Sequence, residues 1–210
     1  MSSINDGAII ILSSPSGAGK TTLVKKLSLI KNFEISISYT TRIPRLNEVN
    51  GSDYYFINSN DFDELIKKDE FLEYAKVFNN LYGSSKKKVI NTLKKGKNVI
   101  FDIDWQGTKQ IKDKNLEFKL ITFFILPPSK KTLINRLSER ENNDKSIIDE
   151  RMKKFDNDIK RWTDYDFVVV NDNLEICFNE IKEIIQKKLQ NKNIDFDRNK
   201  ISEHVQSLLN

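Results

Sequence analysis

A chain of 210 residues, 38% hydrophobic and 31% charged, suits one domain with small insertions and can bury a core without disulfides or structural zinc. Its single cysteine, Cys177 between Ile176 and Phe178, excludes an internal disulfide and a cysteine cluster for zinc, and suits a packing role in a reducing compartment. The formal charge of +5 suits nucleic acid or small phosphate-bearing molecules and does not choose between them. No apolar run approaches a membrane span and the opening MSSINDG lacks a signal's basic and apolar regions, so a cytoplasmic location is expected.

The first predicted element is an apolar strand, Ala8 to Leu12, ending at Ser13. The loop Ser14, Pro15, Ser16, Gly17, Ala18, Gly19 follows, and Lys20, Thr21 and Thr22 open a helix with Leu23, Leu27 and Ile30 on one face. This is a phosphate cradle: backbone amides and the helix dipole attract an anion, Lys20 reaches the outer phosphates, and the Thr21 hydroxyl suits magnesium. Ser14 stands where the G-x-x-x-x-G-K-[ST] template has its first glycine, so the loop must accept a small side chain there. An ordinary glycine-rich turn is the bland alternative.

Next, EISISYTTR alternates like a strand leading into a polar loop with Arg42 and Arg45. A turn at Asn50-Gly51 precedes a short aromatic strand around Tyr54 to Ile57, then a helix capped by Ser59 or Asn60 with Phe62, Leu65 and Ile66 inside. FLEYAKVF returns as a strand. Residues 40–82 read as an inserted lobe between core segments 8–39 and 83–190.

Beyond Tyr82-Gly83 a helix through Val89, Ile90 and Leu93 should stop at Lys94, Lys95 and Gly96. NVIFDID and LITFFIL are core strands, the second stopped by Pro127-Pro128, and a helix with Leu133, Ile134 and Leu137 inside follows. FVVV is the last obvious strand. Strands alternating with helices predict an α/β fold with a parallel sheet and helices on both faces. Residues 138–150 carry few apolar residues and form either a lid or a solvated loop, framed by Arg136, Arg140 and Arg151. Such arginines suit charge stabilisation on a transferring phosphate. In the tail, 191–210, Ile201, Val205, Leu208 and Leu209 keep helical spacing, enough for an amphipathic helix that docks or self-associates into a homo-oligomer. His204, the only histidine, reads as an exposed bystander. The abundant Lys and Asn are a compositional habit.

The stretch TTRIPRLNEVNGSDYYF, residues 40–56, closely resembles the signature of guanylate kinases in its Thr-Thr-Arg, second Arg, Glu, Gly, Tyr and terminal aromatic. FLEYAKVFNNLYGSS, FDIDWQG, ILPPS and VVVND also resemble family segments, so the likeness covers about residues 8–190. It implies a P-loop kinase fold with core, GMP-binding lobe and lid that uses magnesium and ATP to convert GMP, and dGMP, to the diphosphate, with no nucleic-acid or membrane partner. By position, Arg42, Arg45, Tyr54 and Tyr82 would hold the GMP phosphate, with Arg42 counted among the catalytic groups beside Lys20 and the lid arginines. Ser38, Glu73, Ser84 and Asp104 would support guanine recognition, whose ring NH and amine are donors that carboxylates accept. Asp102, ending the strand VIF, would orient magnesium-bound water, with a structural hydrogen bond as competitor. Asn171 and Asp172 would lie near the ATP base, with a helix cap as alternative. Three rivals remain: a non-enzymatic interaction module, against which the intact Gly19-Lys20-Thr21 speaks; a sugar-phosphate kinase, which leaves the signature unexplained; and a nucleic-acid binder, which rests on charge alone.

Overall fold

Continuous apolar runs and alternating ones go to two different sheets. The computed structural model describes residues 6–210. The runs form β1 (Ile9–Ser13), β7 (Asn98–Asp102), β8 (Leu120–Leu126) and β9 (Phe167–Val170), and β1 is buried at every position. Strands covered on both faces need no polar alternation, which is the signature of a parallel sheet under helices. With β2 (Phe33–Ile35) they make a five-stranded sheet of order β2-β7-β1-β8-β9. β2 runs parallel to β7 with Ile35 opposite Ile100, and β8 runs parallel to β9 with Leu126 opposite Val170.

The second sheet has order β4-β3-β6-β5, from β3 (Tyr39–Thr40), β4 (Tyr55–Phe56), β5 (Phe71–Val77) and β6 (Asn80–Ser85). EISISYTTR, expected as one strand, is therefore two strands of two sheets. Ser36 N still donates to Ile100 O, whereas Ser38 O already accepts from Tyr55 N; a two-residue period carries no mark where a strand changes partner. β6 had no clear signal because its hairpin turn is Phe78-Asn79, both with positive φ, 47° and 61°. That conformation usually advertises itself with glycine.

Helices α1 (Lys20–Ser28), α3 (Lys86–Lys94) and α5 (Lys130–Arg140) follow the expected patterns, and Gly96 ends the α3 segment with φ 75°. α2 (Ser59–Lys67) is capped by Asn58, whose side chain accepts from Asp61 N, one residue before the expected caps. α4 (Trp105–Asp113) starts at its cap Asp104. In α5, Leu133 and Leu137 are fully buried, but Ile134, expected inside, is 39% exposed. Residues four apart share a face, and the next residue is turned away by about 100°. Residues 138–150 are not an open loop: α5 extends to Arg140, and α6 (Lys145–Ile159) begins after four residues. α7 (Leu174–Leu189) and α8 (Arg198–Leu209) complete the chain.

The chain divides into two compact units. One comprises the chain up to Ile11 with Ile30–Leu120, the other Leu12–Leu29 with Ile121–Asn210. The first is centred on Ile9, Ile11, Leu72, Val89, Leu93, Val99 and Phe101. In the second, α8 docks: Val205 and Leu208 are buried, Arg198 donates to Tyr165 O at 2.8 Å, and Lys130 Nζ donates to Leu209 O at 3.2 Å. His204 is no exposed bystander, since its Nε2 lies 2.9 Å from Pro127 O in a half-buried position. Cys177 is buried, and burial pushes its thiol up to about 12, as a packing residue requires. Leu208→Ala should therefore lower unfolding free energy by about 2–4 kcal/mol, the usual cost of emptying a buried leucine site. Urea unfolding measures it, and an unshifted midpoint would show that the tail helix adds nothing to the fold.

Candidate active site

Two polar constellations stand out, one within each unit. In the second unit the phosphate loop follows β1. Gly17 and Gly19 both have φ 91°, a left-handed backbone that excludes ordinary side chains. Space adds a second reason, because a Cβ on Gly19 would come within 2.2 Å of Asn171 Nδ2, and one on Gly17 within 2.9 Å of Leu137 Cγ. Ser14 is outside the left-handed region, so it replaces glycine without strain, and its Oγ donates to Pro15 O at 2.8 Å. Ala18 is fully buried. Gly19 is also the N-cap of α1, with no side-chain cap and no acidic residue in the first turn. The group that would compete with an anion at this helix start is thus absent. Lys20 is half-buried; Thr21 and Thr22 are exposed at the start of α1.

The arginines of α5 and α6 reach the same loop. Arg140 Nη2 and Arg151 Nη1 both donate to Ser16 Oγ, at 2.9 and 2.7 Å. Arg136 donates through both terminal nitrogens to Asn171 O, each at 3.1 Å. Asn171, 3% exposed, donates from Nδ2 to Ala18 O at 2.8 Å, while its buried Oδ1 has no hydrogen-bond partner among the described residues. Its neighbour Asp172 is exposed. The helix cap, the alternative role for these two residues, belongs to Asn173, which accepts from Glu175 N and Ile176 N. One group had no place in the sequence reading, and one expected near the ATP base has a further contact. Glu141 contacts both Arg140 and Arg151, and the side chain of Asn171 braces the loop.

In the first unit, Arg42 and Arg45 are organised by Glu48. Arg42 Nη2 donates to Glu48 Oε1 at 2.7 Å, Arg45 N donates to Oε2 at 2.8 Å, and Arg45 Nη1 stands 3.5 Å from Oε1. Arg42 lies over the Tyr54 and Phe56 rings at 5.3 and 5.8 Å, and Tyr54 meets Tyr82 edge-on at 5.9 Å. Burial, with Asp102 and Tyr82 nearby, pushes the Tyr54 phenol up, so it stays a neutral donor. Burial alone would lower the Arg42 guanidinium, but Glu48 and Tyr82 outweigh it and hold it above its ordinary value. For Glu48, burial works upward, and the hydrogen bonds from Arg42 and Arg45 prevail and hold the carboxyl below its usual range.

A buried polar line lies in the same unit. Glu73 is 2% exposed and accepts from Ser84 Oγ at 2.5 Å, and Ser84 Oγ lies 3.4 Å from Ser38 Oγ. Gly107 lets Glu73 approach α4, since a Cβ there would meet Glu73 Oε2 at 2.4 Å. Asp104 is committed locally: Oδ1 accepts from Gln106 N and Gly107 N, and Oδ2 from Gln106 Nε2. Asp102 is half-buried at the end of β7.

The guanylate kinase family model matches residues 6–188. The chain belongs to the guanylate kinase family. It is 49% identical to the guanylate kinase of Rickettsia prowazekii over 182 residues, 86% of this chain and 91% of that protein. It is 44% identical to the guanylate kinase of Buchnera aphidicola subsp. Baizongia pistaciae over 183 residues, 86% and 87% of the two chains. Among solved structures it is similar to a crystal structure of guanylate kinase from Anaplasma phagocytophilum, at 33% identity and a TM-score of 0.74, covering 88% of this chain and 87% of that one. Both constellations lie inside the family match, and α8 lies outside it.

The depressed Glu48 carboxyl has a consequence for stability in this family member. A carboxyl whose pKa falls on folding adds stability above its unfolded value, near 4.5, and that contribution is lost as pH drops through the lower folded value. Glu48→Gln should therefore be less stable than the parent at pH 7, and the gap should narrow as pH falls below 4.5. Urea midpoints against pH measure this, and a constant gap would mean that Glu48 is not paired with the arginines.

Proposed function

We propose that this guanylate kinase transfers the terminal phosphoryl group of ATP to GMP, and to dGMP, with magnesium, in the cytoplasm. The observation that carries the reading is the buried Glu73 carboxylate beside Ser84 and Ser38, in the same unit as the Arg42 and Arg45 pair. A buried acceptor suits the donor edge of guanine, and two guanidiniums suit a phosphate dianion. Among the described residues no helix is long and apolar enough to cross a membrane.

In this reading residues 40–82 form the GMP lobe and 138–150 the lid. Arg42, Arg45, Tyr54 and Tyr82 bind the GMP phosphate, and Ser38, Glu73, Ser84 and Asp104 favour guanine. A phosphate oxygen of GMP attacks the γ-phosphorus of ATP; the bond to the bridging oxygen breaks and ADP leaves with its electron pair. No covalent enzyme intermediate or histidine is needed, because the nucleophile is already anionic. The loop from Ser14 to Gly19 cradles the donor phosphates, with Lys20 and Thr22 at the helix start and Asn171 bracing the loop. Lys20, Arg136, Arg140 and Arg151 neutralise charge on the transferring group. The Thr21 hydroxyl and Asp102 carboxylate are hard oxygen donors of the kind magnesium takes, and they would hold the ion, which supplies charge neutralisation on the phosphates when bound. Closure of lobe and lid excludes water, which would otherwise accept the phosphoryl group.

ADP formation against a panel of nucleoside monophosphates tests the reading; GMP should be strongly preferred. Lys20→Ala should cost at least about a hundredfold in kcat, as expected for loss of a preorganised charge on the transition state, with the fold intact. Near-normal turnover would overturn the phosphate-loop assignment. Glu73→Gln should cost about tenfold or more in kcat/KM for GMP, since a charge-assisted hydrogen bond contributes roughly 1.5–3 kcal/mol, and should cost AMP less. Equal losses for both monophosphates would remove Glu73 from base recognition.

A further inference from the structure

Four residues separate α5 from α6, and their backbone turns the chain sharply. Glu141 N donates to Leu137 O at 2.9 Å and Asn143 N to Ser138 O at 2.8 Å, which closes the end of α5. Asn142 and Asn143 take positive φ, 51° and 60°, and Asp144 caps α6 through Ser146 N and Ile147 N. Asparagine tolerates the left-handed conformation best among residues with a side chain. The turn folds α6 back along α5, so Arg151 comes beside Arg140 although eleven positions separate them.

Two guanidiniums on one serine oxygen repel each other, and Glu141 contacts both of them. Its Oε1 accepts from Arg140 Nε at 2.8 Å and lies 3.2 Å from Arg151 Nη2. The Glu141 side chain is only 8% exposed, against 39% for Arg140 and 14% for Arg151. A carboxylate this buried between two arginines is unlike a solvated surface ion pair, whose partners drift apart at little cost. Each arginine spends one part of its fork on Glu141 and another on Ser16. The pair is thus held at the phosphate loop by a carboxylate on one side and a loop hydroxyl on the other.

We propose that Glu141 is a positioning residue for phosphoryl transfer: it holds Arg140 and Arg151 together at Ser16 before nucleotide arrives. This rests on the guanylate kinase reading above. Arrangement in advance matters because charges already in place lose no reorganisation free energy when the transition state forms. Glu141 acts through the arginines and need not touch substrate. Its removal should therefore appear in kcat rather than in the affinity for GMP, which binds to a different set of residues.

The test compares the parent with Glu141→Gln, which keeps size and removes charge, and with Glu141→Asp, which keeps charge and shortens the reach. Steady-state kinetics with magnesium-ATP and GMP would be measured on both, together with thermal unfolding. Glu141→Gln is expected to lower kcat about tenfold with the KM for GMP within about twofold, and Glu141→Asp to lose less. In an Arg140→Ala/Arg151→Ala background, Glu141→Gln should change kcat by less than about twofold, because residues acting as one unit are not additive. An unchanged kcat in a folded Glu141→Gln, an Asp variant no better than the Gln variant, or a full tenfold loss in the double-alanine background would each overturn the proposal. A parent enzyme that forms no ADP with GMP would instead overturn the guanylate kinase reading itself.

Discussion

Arginines brought close together repel one another, and much of the polar architecture of this kinase answers that constraint. At two places a glutamate stands between two arginines: Glu48 between Arg42 and Arg45, and Glu141 between Arg140 and Arg151. Each carboxylate is more buried than a surface ion pair requires; Glu48 lies in the same short segment as both of its arginines, whereas Glu141 adjoins Arg140 in sequence and meets Arg151 only across the turn into α6. In the first pair a local loop therefore sets both charges, while in the second the turn between α5 and α6 must bring Arg151 in. The carboxylate also keeps each pair ordered where rotamer freedom would otherwise spread it.

The glycine-rich loop after β1 is shaped by backbone rather than by charged side chains. Gly17 and Gly19 adopt a conformation that turns the chain tightly before α1, and the buried amide of Asn171 occupies the space a side chain on Gly19 would need. Asn171 joins this loop to Arg136 through its main-chain oxygen, and its own amide donates to Leu126 O at the end of β8. One residue after β9 thus serves loop, strand and arginine together. Ser14 fits because the strained positions are the two later glycines and not the first template position.

The apolar runs end at or just ahead of polar positions. β1 stops at Ser13 before the phosphate loop, β7 at Asp102, and β9 just ahead of Asn171. In parallel α/β sheets ligands gather beyond the carboxyl ends of the strands, because crossovers bring loops and helix starts there. The smaller sheet, built on a hairpin with two left-handed residues, carries Thr40, Glu73, Tyr82 and Ser84. Tyr39 stacks on Tyr55 at 4.8 Å, which stiffens that sheet beside the signature loop.

Local chemistry alone determined a good part of this protein. The strand, loop and helix around Lys20, the buried runs at β7, β8 and β9, the stop at Gly96 and the signature around Arg42 were legible because each depends on residues close in the chain. Contacts between distant residues decided the rest. The split of EISISYTTR depends on which strand receives each amide, and the β6 turn lacks the glycine that marks such turns. Ile134 faces outward because helical phase, not hydrophobicity, sets its direction. The meeting of Glu141 with Arg151, the bracing of Ala18 by Asn171 and the docking of α8 through His204 and Leu208 join positions that no local pattern pairs. Spacing and composition report propensity and period, whereas burial and hydrogen-bond partnership exist only once the chain has folded back on itself.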